Sequence, residues 1–344
     1  MEFAVLGLGA ALVDTEVWVS ESDLRWLGLV KGHMRLGDAA AQAHILRRMG
    51  LCGDIGGGTG GAAGDKKIHR ACGGSAANSM LAAAHFGCRA HLTCQVGADA
   101  AGRFFLAELA RAGVGANRNA QGMAGETGQC LVLVTPDAER SMHTVLGSST
   151  ALSPANLHPE LFAAADYLYL EGYLCTAASP RAAAIRAREL AQRETVKIAL
   201  SLSDPGLVAQ FAGPLREMAG ARLDLLFCNA AEALAWSGCA TLEEASEVLQ
   251  EGAAAYAITL GAAGALCFDG RRKFQVAAPP VDAIDTNGAG DMFAGTMLAC
   301  LSRGLDFSNA AAVACRAAAH LVTQPGARLN AAGYARLRGE LGLG

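Results

Sequence analysis

Residues 285–291 read Asp-Thr-Asn-Gly-Ala-Gly-Asp, placing three small residues, Gly288, Ala289 and Gly290, directly before a carboxylate, Asp291. Phe293, Thr296, Met297, Cys300 and Leu301 then recur at helical spacing, so a helix is expected to begin near Gly290. The first backbone N–H groups of a helix lack partners within it and carry a partial positive charge. Glycines let that backbone approach an anion with no Cβ in the way. Read alone, the stretch is equally a tight turn with Asp291 as a first-turn acid favoured by the helix dipole. An acid beside an anion hole, however, repels the anion that the hole attracts, unless the acid has a task on the same anion. Phosphoryl transfer supplies one: amides hold the transferring group while the carboxylate takes the proton of the attacking hydroxyl. A carboxylate at a helix N-terminus is a weak base. That suffices for an alcohol that becomes acidic only late in a loose transition state.

Three further motifs fall at the ends of expected strands: CGGSAANSM (72–80), LLFCNAAEA (225–233) and ITLGAAGA (258–265). In this order, with DTNGAGDMFAG (285–295), they resemble the motif set of the ribokinase-like (PfkB) family of carbohydrate and nucleoside kinases over nearly the whole chain. GAALVDTEVWVSESDLRWLGLVKGHM, at residues 9–34, resembles the adenosine-kinase-like branch in particular. The resemblance implies roles residue by residue. Asp291 matches the catalytic base, and Gly288, Ala289 and Gly290 match the anion hole. Asp14, at the end of the first strand, and Asn78 match residues that bond the acceptor's hydroxyls, with Gly74 and Ser75 letting the sugar lie against the backbone. Asn229 and Glu232 match an Asn-x-x-Glu motif that organises Mg2+ and its waters, Asn229 acting through water. Thr259, Gly261 and Gly264 match the nucleotide side. ATP is the implied co-substrate, and K+ near the loop around Asp285 stays open. One position departs from the branch: Ala10 stands where adenosine-kinase-like chains commonly carry Asn. An amide that would contact the base or shape its pocket is missing there.

Outside the resemblance, each of these residues also has a plainer reading. Asp14 could start a turn, Asn78 could satisfy a neighbouring backbone group, and Glu232 could be a solvated helix acid. Thr259 and the two glycines after it could be hairpin punctuation. Tyr173 could stack on a base, though core packing suits it better.

The elements that must position these residues alternate. FAVLG (3–7), RAHLTCQVG (89–97), DYLYLEG (166–172), VKIALSLS (196–203), DLLFCN (224–229) and YAITLG (256–261) read as strands. Helical patterns separate them: 75–87 closed by Gly87, 101–113 closed by Gly113, and 179–193 with Ser179 as cap and Pro180 in the first turn. Three helical patterns end the chain. The expectation is a doubly wound α/β fold, a mostly parallel sheet with helices on both faces, formed by residues 1–344 as a single domain. The resemblance implies the same fold. Two regions break the rhythm with period-2 alternation, 14–20 and a hairpin pattern over 127–147 that turns at 135–138. They are expected to form a small β lid, built from roughly 13–20, 49–70 and 118–147.

Two glycine patterns are decoys for phosphate chemistry. GDIGGGTGGAAGDKK (53–67) reads as a flexible loop, and Asp65 follows Gly64 where a P-loop needs Lys. GLGAAL (7–12) follows a strand, but Leu12 replaces the third glycine of a dinucleotide fingerprint, which argues against a nicotinamide-dependent oxidoreductase.

Hydrophobic residues make up 52% of the 344 and charged residues 17%, enough for a large core. With 32 acids, 28 bases and no basic block, neither nucleic acid nor an anionic membrane is an expected partner. No stretch reaches the ~20 apolar residues of a membrane span, and the N-terminus lacks a signal pattern. The eleven cysteines are scattered through apolar segments with no Cys-x-x-Cys, as in a reduced, cytoplasmic protein. A monomer and a homodimer are both compatible, since the lid's apolar faces could cover the chain's own site or a second copy.

The expected function is ATP- and Mg2+-dependent transfer to the 5′-hydroxyl of a nucleoside, adenosine first. The alternatives are inosine or guanosine, a free sugar such as ribose or fructose, and a nucleoside-binding protein without catalysis.

Overall fold

The computed structural model describes residues 3–32, 34–51, 61–63, 66–117, 120–123, 125–137 and 139–342. Most of the glycine-rich stretch 53–67 lies outside them. The main sheet has nine strands, in the spatial order Lys273–Val276, Ala265–Phe268, Ala253–Thr259, Leu223–Asn229, Lys197–Ser201, Tyr167–Glu171, Val5–Leu8, Ala90–Thr93 and Gly115–Ala116. The first two join as antiparallel edge strands; the other pairings are parallel. The inner strands are apolar runs because helices cover both faces.

On one face Met80, Phe105, Phe293 and Met297 pack on Tyr169 and Phe227. On the other, Leu190, Leu215 and Leu249 pack on Leu168, Leu170 and Tyr256. Small residues bring the helices close: a Cβ at Gly295 would run into the Ser79 carbonyl of the helix Ser75–His85. From Val5–Leu8 the chain first extends the sheet one way through Ala90–Thr93 and then the other way through Tyr167–Glu171, the topological switch of a doubly wound sheet. Ligands bind at such a point, beyond the carboxyl ends of the strands.

The lid is a separate six-stranded sheet in the order Met34–Leu36, Arg140–Val145, Gly128–Val134, Leu12–Trp18, Lys66–Gly73 and Gly61–Ala63. Alternate residues face opposite ways. Val17, Ile68, Leu131 and Leu133 pack under Leu24, Leu27 and Ile45 of two short helices, Glu21–Leu27 and Ala39–Arg48. Asp14, Cys130, Met142 and Thr144 face the main sheet. Among the described residues no helix is long and apolar enough to cross a membrane.

Several local expectations are corrected. Asp14 lies within the lid strand Leu12–Trp18, not at the end of the first strand. The lid hairpin is buried on both faces, not one, because the two short helices cover its outer side. Gln121–Met123 pairs with Val96–Gly97 in a two-stranded ribbon and not with the lid, whereas Met34–Leu36 supplies an unforeseen lid edge. Ser179 is not a cap: its hydroxyl donates to the Leu152 carbonyl at 2.8 Å, and the helix Ala178–Arg193 begins without a side-chain cap.

Candidate active site

A cavity of about 450 Å3 opens between the strand ends of the main sheet and the inner face of the lid. The helix Ala289–Ser302 points its N-terminus into it, so Asp291 sits in the first turn. Gly288 caps that helix with φ +74°, and a Cβ there would run into the Ala327 carbonyl. Only a residue free to adopt the left-handed region, without a side chain, fits this turn. Ala289 N–H reaches the Thr286 carbonyl at 3.3 Å, a long contact, while the N–H groups of Gly290 and Asp291 find no acceptor among the described residues. Two backbone N–H groups are therefore left open at the head of this helix.

The Asp291 carboxylate is held on both oxygens. Ser75 Oγ donates to Oδ1 at 2.6 Å and Asn78 Nδ2 to Oδ2 at 3.0 Å. Burial raises its pKa to about 6, against the pull of these two bonds. Ser75 and Asn78 occupy the first turn of Ser75–His85, entered through Gly74 at φ +98°, where a Cβ would strike the Ala10 carbonyl. Two acceptors face the cavity without donors. Asn78 Oδ1 is buried and unbonded, and the Asp14 carboxyl takes no hydrogen bond among the described residues. Burial raises Asp14 to about 7, with Arg328 opposing. A polar ligand with hydroxyl donors would satisfy both.

Asn229 and Glu232 form a reciprocal capping box at the end of the strand Leu223–Asn229. Glu232 Oε1 accepts from Asn229 Nδ2 at 2.7 Å and Oε2 from Asn229 N–H at 3.0 Å; Asn229 Oδ1 accepts from Glu232 N–H at 2.8 Å. Glu232 is raised to about 7 by burial first, then by the charges of Asp204 and Asp291. Thr259 and Gly261 line the cavity beside it. Gly264 does not. It closes the turn after Gly261, φ +89°, against the backbone of Val276–Ala278. Tyr173 lines the wall as well as packing on the core.

Two groups were not foreseen. Glu171, at the end of its strand, lines the cavity and accepts from Ala10 N–H and Ala76 N–H, each at 2.7 Å. Burial raises it to about 7. The available signal was an acid closing an otherwise apolar strand. Arg140, from the lid, bridges Glu16 at 2.7 Å and Asp285 in the loop before the helix Ala289–Ser302. Burial would raise Glu16, but His69 and Arg140 outweigh it and hold the carboxyl below its usual range. No local motif marks that arginine. Among the described residues no cluster of three or more His, Cys, Asp or Glu could hold a metal, and the cysteines are unpaired.

Comparison with known proteins decides the family. The pfkB family carbohydrate kinases match residues 59–332. The chain belongs to this family. A Salmonella typhimurium aminoimidazole riboside kinase is 30% identical to it over 240 residues, 67% of this chain and 74% of that one. Among solved structures, a probable sugar kinase from Rhizobium etli matches with TM-score 0.87 at 28% identity, covering 99% of each chain. An adenosine kinase from Sinorhizobium meliloti matches with TM-score 0.86 at 28% identity, covering 99% of this chain and 100% of that one. The ribokinase-like fold with its sheet lid is thus the one expected, and the open amides and buried carboxylate of this pfkB kinase lie where its sheet changes direction.

Proposed function

We propose that this pfkB kinase transfers the γ-phosphoryl group of ATP to the 5′-hydroxyl of a nucleoside, adenosine first, giving AMP and ADP. One observation carries the reading: the Asp291 carboxylate faces a cavity that also holds unbonded backbone amides and the unbonded acceptors Asp14 and Asn78. Sugar hydroxyls donate to Asp14 and Asn78 Oδ1. The hydroxyl next to Asp291 loses its proton to that carboxylate as it attacks. With a pKa of about 6, Asp291 is ionised at neutral pH, yet a stronger base than an ordinary aspartate. The amides of Gly290 and Asp291 stabilise the equatorial oxygens of the group in flight. The lid over the acceptor keeps water from competing for it.

The donor set fits a divalent cation. Burial first, and then the charges of Asp204 and Asp291, raise the pKa of Glu232, and positive charge placed at its carboxylate would offset both. Each Glu232 oxygen keeps a lone pair beyond its bond to Asn229, so Glu232 directly and Asn229 through water would hold Mg2+. Bound with ATP, the ion neutralises charge on the phosphates. Asp285 already carries the Arg140 guanidinium, so K+ near that loop would rest on backbone carbonyls.

The lid favours a nucleoside over a free sugar. Leu36, Cys130 and Met142 face the acceptor with apolar surface, which suits a flat base better than further hydroxyls. Ala10 supports a second reading, another riboside, because it offers no side-chain amide to read adenine. A panel of adenosine, inosine, guanosine, aminoimidazole riboside, ribose and fructose with Mg-ATP, scored by ADP release, tests both. Highest kcat/KM for adenosine is expected. Turnover of ribose or fructose with no nucleoside turned over would overturn the nucleoside reading.

A further inference from the structure

Across the lid, Asp14 pairs with Cys130, Cys130 with Thr144, and Thr144 with Leu36. The four side chains form one row over four strands, and all four line the catalytic cavity. Along the row the chemistry passes from a carboxyl through a thiol and a hydroxyl to an apolar end. Adjacent strands lie about 4.8 Å apart, which sets Thr144 roughly 10 Å from Asp14. That is the scale of a ribonucleoside from its sugar hydroxyls to the outer edge of its base. A free pentose held at Asp14 does not reach so far.

Among the described residues that the lid lends to the cavity, Thr144 carries the single hydroxyl. Met142 lies beside it on its own strand, with Leu146 just past the strand end; Cys130 and Leu36 lie across from it. Thr144 is buried, and its Oγ1 donates to Cys130 Sγ at 3.2 Å. Burial holds that thiol protonated, and sulfur is a weak acceptor. A hydroxyl has two lone pairs besides its proton, and those of Thr144 take no donor among the described residues. With the proton committed to sulfur, the partner that Thr144 lacks is a hydrogen-bond donor.

We propose that Thr144 determines base specificity, its Oγ1 accepting a hydrogen bond from an exocyclic amine at the outer edge of the base. The role rests on the nucleoside reading above and names the class of base within it. An oxo group at that edge meets a lone pair unless the hydroxyl turns away from sulfur. A base with neither group leaves Thr144 unpaired. Ala10 supplies no side-chain amide for the task, so it falls to the lid. The preference for the amine is about five-fold or more, the scale of one neutral hydrogen bond in a buried site.

Steady-state kinetics with Mg-ATP test this with adenosine, purine riboside (the same ring without the amine) and inosine. Thr144→Val replaces the hydroxyl by a methyl and keeps the branching that suits a strand. Wild type is expected to prefer adenosine to each of the others by about five-fold or more in kcat/KM. In Thr144→Val the ratio of adenosine to purine riboside should fall to about one, through the KM for adenosine. Thr144→Ser, which keeps the hydroxyl, should retain the preference, and Thr144→Ala replaces the valine variant should that misfold. A ratio unmoved by loss of the hydroxyl overturns the role, and so does a wild type that prefers inosine. General damage to the lid would lower both acceptors together and leave the ratio unmoved. Phosphorylation of ribose or fructose with none of the three nucleosides turned over removes the nucleoside reading, and this role of Thr144 with it. Turnover of the nucleosides with an unmoved ratio removes the role of Thr144 alone.

Discussion

The Ser75 hydroxyl and the Asp291 carboxylate, 216 residues apart in the chain, meet at 2.6 Å. Each sits in the first turn of its helix, and those helices touch backbone to backbone where Gly295 faces Ser79. The bond favours the charged form of Asp291, against the burial that raises it to about 6. In the proposed mechanism kcat/KM falls as pH drops through about 6, because the base becomes protonated. Ser75→Ala removes a stabiliser of the carboxylate, so its pKa rises and the acidic limb moves to higher pH. A pH–rate profile of both proteins checks this, and an unmoved limb would detach the ionisation of Asp291 from the rate.

Asp291→Asn keeps the shape of the side chain and removes its basicity. Turnover is expected to fall by roughly 10²–10⁴, the usual contribution of a general base. Acceptor affinity, measured by equilibrium dialysis, is expected to change by only a few-fold, since Asp14 and Asn78 remain. Near-wild-type turnover would take Asp291 out of the mechanism.

Glu232→Gln preserves the capping box, because glutamine serves at that position as well as glutamate. Only the charge is lost. The Mg2+ concentration for half-maximal rate should rise while acceptor KM stays the same. A metal titration that superposes on wild type would deny Glu232 the role proposed for it.

What could be read in the sequence was local. The small residues before Asp291, the period-2 stretch around Asp14 and the glycines closing 75–87 and 101–113 each act within a few residues, so spacing reveals them. Glu171 and Arg140 act across 161 and 124 residues, on Ala10 and Glu16, and nothing nearby in the chain announces such partners. A serine before a proline is a common helix cap, but a carbonyl from another segment takes the Ser179 hydroxyl instead. The motif points Gly264 at the nucleotide, yet its left-handed turn and the backbone pressed against it explain the glycine without a ligand. The lid edge Met34–Leu36 is only three residues long, too short for alternation to register.

Buried acids make the ligand-free protein sensitive to pH. Asp14 titrates near 3.8 when exposed and at about 7 when folded, chiefly through desolvation. Between those values the folded state holds a proton that the unfolded state has lost, so this group's contribution to stability falls as pH rises from about 4 to 7. Above 7 the full penalty applies. Asp14→Asn removes it, and urea unfolding at pH 8 should show a gain of about 1–3 kcal/mol that vanishes at pH 4, with acceptor affinity lost in exchange. Equal effects at both pH values would show that the charge of Asp14 is not the cause.

Arg140 couples the lid to the loop before the helix Ala289–Ser302 through two buried carboxylates, Glu16 and Asp285, with side-chain exposures of 9%, 8% and 4% for the three groups. Such an arrangement stabilises little compared with a well-packed apolar one, but removing one member leaves uncompensated charge. Arg140→Met is therefore expected to cost about 3–5 kcal/mol in urea unfolding and to raise acceptor KM as the lid loosens. Asp285 also accepts from Gly326 N–H at 2.6 Å and Asn287 N–H at 3.0 Å, so neutralising it alone weakens the loop. The two losses overlap, because each single change breaks the same pair. Arg140→Met/Asp285→Asn should then be less destabilised than the sum of the singles by about 1 kcal/mol or more. Additive costs would mean that the arginine holds the lid through Glu16 alone, and that the loop and the lid move independently.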